Sequence, residues 1–409
     1  MSNGANSIQK CLRTELEDYI RAQYFGKTPL LLEAINPLLD QEGILYQKPY
    51  IESSPAYTSL EHGIQLSGIE SWLKSFFTKL ATAGLGVYET PFAHQVNALE
   101  AAVAGKDLFV ATGTGSGKTE CFMWPIMAKL ASEAHDKGES WNRRGVRTII
   151  MYPMNALVSD QVGRLRKLIG DRENKFVHIF RSTCGEKVRR PQFGMYTGRT
   201  PYPGAEPKTE QDKALVKTLK RLSFPQDDAE KEYFDRLYDE GKVPSKANME
   251  EFLDNIHVGK HIPNDEDAEL ITRFEMQQVC PDILITNYSM LEYMLIRPRE
   301  KKIWEDTKAW LDADASNKLL FVIDEAHMYR GSAGGEVALL IRRLFHRLGI
   351  SRDRVQFILT TASMPHETEE DKNAVVQFAN SLSANDSAAE FCFLTGEPEK
   401  ISGKQKYDL

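Results

Sequence analysis

The chain has 409 residues, 42% of them hydrophobic and 27% charged, with a formal net charge of −7. That length carries two or three domains with an ordinary buried core. The longest apolar runs, such as LLFVI at 319–323, are too short to span a bilayer, and the opening MSNGANSIQK lacks the basic start and apolar stretch of a secretion signal. The five cysteines, Cys11, Cys121, Cys184, Cys280 and Cys392, form no CxxC pair. They read as free thiols in a reducing compartment, which points to the cytoplasm and away from a zinc site or a disulfide framework.

In chain order, residues 1–60 form an N-terminal helical module. LRTELEDYIRAQY has helical periodicity, and Pro29, Pro37, Pro49 and Pro55 punctuate the stretch after it. Residues 60–83 predict one or two more helices. From 61 to about 370 short apolar runs alternate with helical patterns, which predicts an α/β domain with a mostly parallel sheet. The predicted strands are 107–111, 147–152, 175–180, 282–286, 318–323 and 355–360. Residues 204–280 break the rhythm as a charged, mostly helical insertion. Residues 371–409 complete the domain with a helix at 370–382, a short strand at 390–394 and a polar tail.

Two motifs sit at predicted strand ends. ATGTGSGKT at 111–119 follows the first strand and leads into a helix-like run from Glu120. Glycines let backbone N–H groups turn inward around phosphate oxygens, and the helix N-terminus adds partial positive charge. The candidate phosphate-binding residues are therefore Thr112, Gly113, Thr114, Gly115, Ser116, Gly117, Lys118, Thr119 and Glu120. Lys118 is placed to reach the β- and γ-phosphates of ATP, and Thr119 to put its hydroxyl on Mg²⁺. Thr112 stands where the GxxxxGK[ST] pattern has its first glycine. About 205 residues further on, LLFVI ends in Asp324-Glu325-Ala326-His327. Asp324 suits Mg²⁺ held through water, and Glu325 suits orienting and deprotonating the water that attacks the γ-phosphate. His327 would couple that region to its neighbours.

The order of these motifs resembles the first lobe of superfamily 2 DExH/DEAH-box helicases, a RecA-like P-loop domain. In that resemblance Gln95 of PFAHQ, 17 residues before Thr112, reads adenine. MYPMNAL at 151–157 with Asp160-Gln161 is similar to motif Ia, YTGRT at 196–200 to motif Ib, and TNYSML at 286–291 to motif Ic. Thr361-Ala362-Ser363 stands where motif III couples hydrolysis to movement. TGTGSGKTE, YPMNAL, TNYSMLEYML and DEAHMYRGSAGGEVALLIRRL further resemble the mitomycin-repair factor A-type helicases and their anti-phage relatives of the DISARM and Druantia kind. PYIESSPAY resembles the segment that precedes the first lobe in those proteins. The resemblance implies an ATP-dependent motor, with a second RecA lobe in the same longer chain and a defence-system subunit as a further partner. No lobe-2 motif and no QxxGRxGR-like segment follows residue 363 here.

The implied track is nucleic acid, with single-stranded DNA favoured. Asn155, Gln161, Arg164, Thr197, Gly198, Arg199, Thr286 and Asn287 are its candidate contacts, because short polar side chains and glycine amides bind phosphates without reading bases. Residues 143–199 hold 13 Lys and Arg against 4 Asp and Glu, whereas 205–280 hold 11 against 18. The basic stretch is therefore expected on the nucleic-acid face, and the acidic insertion is expected to tolerate deletion. Two rival readings remain: an RNA helicase of the same superfamily, and a nucleotide-switched interaction module in a defence complex.

Overall fold

A computed structural model describes residues 5–26, 28–41, 43–46, 57–60, 68–113, 115–201, 210–256, 263–362, 369–385 and 391–396. The chain divides into two compact units, Met1–Pro55 and Ala56–Leu409. In the first, α1 (Ala5–Ile20) runs through a π-turn at Arg21–Phe25 towards α2 (Pro29–Leu39). Arg13 holds this unit together. Its Nε donates to Glu17 (2.6 Å), its Nη2 to Asp40 (2.8 Å), and its guanidinium lies 4.0 Å from the Tyr46 ring centre.

The second unit is built on eight strands, all parallel, in the order β4-β3-β5-β2-β6-β7-β1-β8. The strands are β1 (Leu108–Ala111), β2 (Thr148–Tyr152), β3 (Phe193–Tyr196), β4 (Glu269–Leu270), β5 (Ile283–Asn287), β6 (Leu319–Ile323), β7 (Val355–Thr361) and β8 (Cys392–Thr395). Ahead of β1 come α3 (Ser71–Thr82) and α4 (Ala93–Val103). Between β1 and β3 lie α5 (Glu120–Asp136), α6 (Gly138–Asn142), α7 (Asn155–Leu168) and α8 (Lys175–Cys184). The insertion contributes α9 (Glu210–Ser223), α10 (Asp228–Asp239) and α11 (Met249–Ile256). The rest are α12 (Arg273–Gln278), α13 (Tyr288–Ile296), α14 (Lys301–Ala313), α15 (Ser332–Leu348) and α16 (Glu369–Leu382).

Strands such as LLFVI are apolar throughout because helices cover both faces of the sheet. Alternate residues therefore enter opposite cores. Leu320 and Val322 pack with Phe76, Phe122 and Trp124, whereas Leu319, Phe321 and Ile323 pack with Trp304, Trp310 and Leu344.

The α/β class and parallel sheet match the sequence expectation, but residues 175–180 do not form a strand. They open α8, and Phe176 and Phe180, one helical turn apart, stack at 5.7 Å between ring centres. Asp171 accepts the N–H groups of Lys175 (2.7 Å) and Phe176 (3.0 Å), which fixes the helix start. The strand that fills the place, β3, contains Gly194 and only four residues, and β4 has two.

The insertion is not a detachable arm. Val216, Leu219, Phe252, Leu253, Ile256 and Ile271 give it a core of its own. It meets α7 through a glycine–glycine contact. Gly241 has φ +70°, and a Cβ there would strike the Gly163 backbone. Arg166 of α7 forks onto both carboxylate oxygens of Glu269 (2.7 and 2.7 Å) and reaches the Gly241 carbonyl (3.2 Å). Arg172 pairs with Asp235, Arg181 with Glu266 and Arg144 with Asp265.

Residues 143–199, expected on the nucleic-acid face, thus spend part of their charge inside the fold. Four of their thirteen basic residues, Arg144, Arg166, Arg172 and Arg181, face acids of 205–280, and Arg147 and Arg189 are buried against Asp282 (3.3 and 2.7 Å). Removing 205–280 would delete β4 along with those acids. The shortened protein is expected to lose its cooperative thermal unfolding transition by circular dichroism, whereas a dispensable arm would leave it in place.

Asp282 supports a sharper test. Burial alone would raise its carboxyl, but Arg189, with Arg147 and Arg144, holds it below the usual carboxylate value. The stability it confers is present above the unfolded value of about 3.9 and is lost as pH falls through the lower folded value. Asp282→Asn leaves buried guanidinium charge uncompensated and is expected to cost about 3–5 kcal/mol in urea unfolding at pH 7. The gap between the variant and the parent should shrink in acid.

Candidate active site

β7 lies between β6 and β1, so the carboxyl ends of these three strands stand side by side. In open parallel sheets this is the edge where ligands bind. After β1 the chain turns through 112–119 into α5, and after β6 it delivers Asp324 and Glu325. Lys118 Nζ donates to Glu325 Oε1 at 3.1 Å. The strand-end residues of β7 bind both motifs. The Thr112 N–H donates to the Thr361 carbonyl (3.2 Å), the Thr360 hydroxyl donates to Asp324 Oδ1, and Thr361 Oγ1 lies 3.0 Å from His327 Nδ1. Two of the three residues given a coupling role, Thr361 and Ala362, are described at this edge; Ser363 lies outside the described residues, as does Thr114 of the loop.

Glu325 has φ +51°, a left-handed conformation rare for a residue with a Cβ. The Asp324 side chain stabilises the turn by accepting the Glu325 N–H at 3.0 Å. Burial raises the Asp324 carboxyl above its usual value, and the Glu325 charge adds to that. Thr360, the Glu325 N–H and Lys118 act the other way. Among the described residues Glu325 Oε2 has no hydrogen-bond partner, although His327 Nδ1 lies 3.2 Å away, because His327 is aimed at Thr361. An unpaired carboxylate oxygen beside a lysine at a phosphate loop fits a site that receives water, a metal ion and a phosphate chain.

The loop is held from behind by α4. His94 Nε2 donates to the Ser116 carbonyl (2.8 Å) as a neutral ring, and burial lowers its pKa. Gln95 accepts the Phe92 N–H (2.9 Å) and donates to the Gly117 carbonyl (3.2 Å). Gln95 is 1% exposed, so the described bonds of this expected adenine reader hold the loop itself. A side chain on Gly117 would collide with it, and Gly117 has φ +73°. Tyr57, the last residue of PYIESSPAY, accepts the Gly113 N–H at 3.2 Å and packs edge-on against Phe92 and His94. Sequence reasoning missed Tyr57, His94 and Thr360. The signal available was a hydroxyl or imidazole among apolar residues next to a motif. Glu120 meets Arg164 (3.1 Å) and the Tyr88 hydroxyl (3.5 Å).

The other candidate residues gather at the ends of β2, β5 and β3, which are neighbours in the sheet. Asn287 caps α13 by accepting the Met290 N–H (2.8 Å) and donates to Asn155 Oδ1 (2.7 Å). The Thr286 hydroxyl donates to the Tyr196 carbonyl (2.8 Å), and Thr197 Oγ1 accepts the Arg199 N–H (3.2 Å). Thr286, Thr197 and Gln161 are buried, so they shape this edge from beneath; Gly198 and Arg199 are exposed on it. Arg164 is half-exposed but bound to Glu120 and Asp160. Arg273 holds the Gly198 turn by donating to the Thr197 carbonyl at 2.6 Å.

The family model for the DEAD/DEAH box helicase matches residues 92–202 and 245–371, more than half of the chain. The chain belongs to the DEAD/DEAH box helicase family. Between its two parts the match leaves out 203–244, within the stretch 204–280, and β4 and α12 lie within the matched region. The Druantia protein DruE of Escherichia coli (strain UMEA 4076-1) is 43% identical over 387 residues, covering 88% of this chain and 20% of that protein. This chain therefore spans about a fifth of that relative's length. DEAD-box ATP-dependent RNA helicase 41 of Arabidopsis thaliana is 36% identical over 91 residues, 22% of this chain and 17% of that one. Among solved structures, DUF1998 helicase MrfA bound to DNA and AMPPNP overlaps 88% of this chain and 33% of its own, at 16% identity and a TM-score of 0.41.

The buried charge of Asp324 works against stability. Its raised carboxyl makes stability fall as pH rises above the ordinary carboxylate value of about 3.9. Asp324→Asn keeps both hydrogen bonds to Oδ1 and removes the buried charge. The variant is expected to melt higher than the parent at pH 7 without nucleotide, with the difference fading towards pH 4. A variant that melts lower at pH 7 would show that burial does not dominate there.

Proposed function

We propose that this chain is the ATP-binding lobe of an ATP-dependent DNA translocase or helicase. The observation that carries the reading is the convergence of Lys118, Asp324 and Glu325 on one sheet edge, joined by Thr360 and Thr361 of β7. Lys118 and the loop amides bind the phosphates. Thr119 and Asp324 hold Mg²⁺, which neutralises phosphate charge; one or two protein ligands suffice for that ion. Glu325 orients the attacking water and takes its proton. For this, Lys118 transfers its contact from Glu325 to phosphate, freeing the carboxylate as the nucleotide arrives. His327 and Thr361 carry the change into β7.

The track lies along Gly198, Arg199 and the N-termini of α7 and α13, where helix dipoles favour phosphate. The likeness of the motifs to mitomycin-repair factor A-type helicases supports DNA, and the similarity to a Druantia protein supports a role in anti-phage defence with a partner subunit. A second RecA lobe is part of the same reading. Among the described residues the partners of Lys118, Asp324 and Glu325 include no arginine, and arginine fingers contribute about 10³–10⁵ in rate where present. Five unpaired thiols support a cytoplasmic location. Among the described residues no helix is long and apolar enough to cross a membrane.

Two substitutions test the site. Glu325→Gln is expected to keep nucleotide affinity within about twofold and to abolish hydrolysis, whereas Lys118→Ala should weaken binding by about tenfold or more, roughly 1.4 kcal/mol. A nucleotide titration beside a turnover assay on the full-length protein reads both, and wild-type turnover by Glu325→Gln would place the base elsewhere. Comparing stimulation by single-stranded DNA and RNA separates the motor from an RNA helicase, and no stimulation by either favours a nucleotide-operated switch. Arg199→Ala should reduce the slope of log affinity against log salt by about 0.7 on a single strand.

A further inference from the structure

At the opposite end of the sheet from Lys118, a cavity of about 240 Å³ opens between the C-terminal ends of α4 and α5 and the segments entering β6 and β7. It has room for several water molecules or a small ion. Three of its wall residues are lysines: Lys129 and Lys137 from the end of α5 and beyond it, and Lys318 just before β6. Ser132, Ser316, Asn317 and Gln356 complete the polar wall.

The two acids in the wall do not answer these charges. Glu133 is already engaged by other donors. It accepts both Arg147 Nε (3.2 Å) and Nη2 (2.9 Å), the Ser140 hydroxyl (2.9 Å) and the Trp310 indole (2.8 Å). Asp136 lies on His135 at 2.5 Å. Lys137 has its own partner, Asp314, at 3.1 Å. Lys129 makes no hydrogen bond or ion pair with any described residue. Burying this partly exposed ammonium is costly; Glu133 offsets part of the cost, and two further lysines at the same cavity add to it.

We propose that this cavity binds a small multivalent oxyanion of the phosphate type, held by Lys129 with Lys318 and Lys137. The site is separate from the phosphate loop and does not depend on the proposed ATPase. Burial, opposed by Glu133 and reinforced by Arg147, Lys137 and Lys318, lowers the Lys129 amine to about 8. Lys129 is therefore charged at pH 7 and sheds its proton in mild alkali, where its hold on an anion weakens.

The test uses inorganic phosphate with the phosphate loop disabled by Lys118→Ala. In that background phosphate at ten times its dissociation constant is expected to raise the unfolding midpoint by about 2 °C. Adding Lys129→Met, which swaps the ammonium for a neutral side chain of similar length, should abolish the rise while leaving the protein folded. Lys129→Arg should keep it. Phosphate should also slow acylation of the Lys129 amine, mapped by mass spectrometry, with the protection falling between pH 7 and 9.5. A midpoint in Lys118→Ala that ignores phosphate would overturn the proposal, as would a rise that survives Lys129→Met. Stronger protection by a thymidine oligonucleotide than by phosphate would also overturn it, assigning the lysines to a nucleic-acid surface.

Discussion

Asp282 has no exposed surface, yet its carboxylate carries charge because guanidinium groups surround it. Arg189 donates to both of its oxygens, Arg147 stands 3.3 Å away, and the Gln192 N–H adds a third donor to the carboxylate. Its backbone carbonyl accepts the N–H groups of Arg147 and Thr148, and its own N–H donates to Gln192. One residue thus joins the entries of β2, β3 and β5. A buried ion pair contributes little net stability over an apolar substitute, but breaking it is costly, so its effect is to select one arrangement. Here the arrangement selected is a register. With three strands level at their amino ends, their carboxyl ends bring Asn155, Thr197 and Asn287 to one edge.

The same parallel geometry sets up the hydrolytic half of that edge. β7 has no glycine loop and no acidic pair, yet it touches both motifs because it runs between them. Thr360 points to Asp324, while the Thr361 hydroxyl meets His327 and its carbonyl meets Thr112. A change at the Lys118–Glu325 contact therefore has a short covalent and hydrogen-bonded route into a strand that packs through the centre of the sheet. The cost is concentrated where the chemistry would be: Glu325 sits in the left-handed region, and Asp324 is a buried acid whose charge is disfavoured. Strain and desolvation of this kind persist where surrounding packing over-determines the fold.

The continuous apolar strands were legible in the sequence, as were the motifs that end them. A strand covered on both faces announces itself as an unbroken run, and the phosphate loop and acidic pair need fixed residue types at fixed places. Shorter elements were not. KFVHIF at 175–180 fits both period 2 and one face of a helix, and the deciding feature was Asp171 upstream, acting as a cap. β3 enters the sheet through the bonds of Gln192 to Asp282, and β4 pairs with β3, so their own composition says little. Long-range partners were invisible too: nothing in local spacing ties Tyr57 to Gly113, or Arg166 to Glu269 across 103 residues.

Charge was the feature most easily misread. A local excess of lysine and arginine becomes a field only if it is not cancelled in space, and distance along the chain does not measure that. Arg144, Arg166, Arg172 and Arg181 lie in the basic stretch, and their partners Asp265, Glu269, Asp235 and Glu266 lie in the acidic one. The two imbalances are halves of one interface. Among the described residues, the candidate nucleic-acid edge keeps a modest set of groups: an exposed Arg199, the Gly198 turn held by Arg273, and the starts of α7 and α13. On the proposed function, such a surface would attract phosphates through a few dipoles and an exposed cation rather than through a dense array of charges. Weak, repeated and sequence-blind contact of that kind suits a lobe that must release its track in each cycle, since tight electrostatic binding would resist every step.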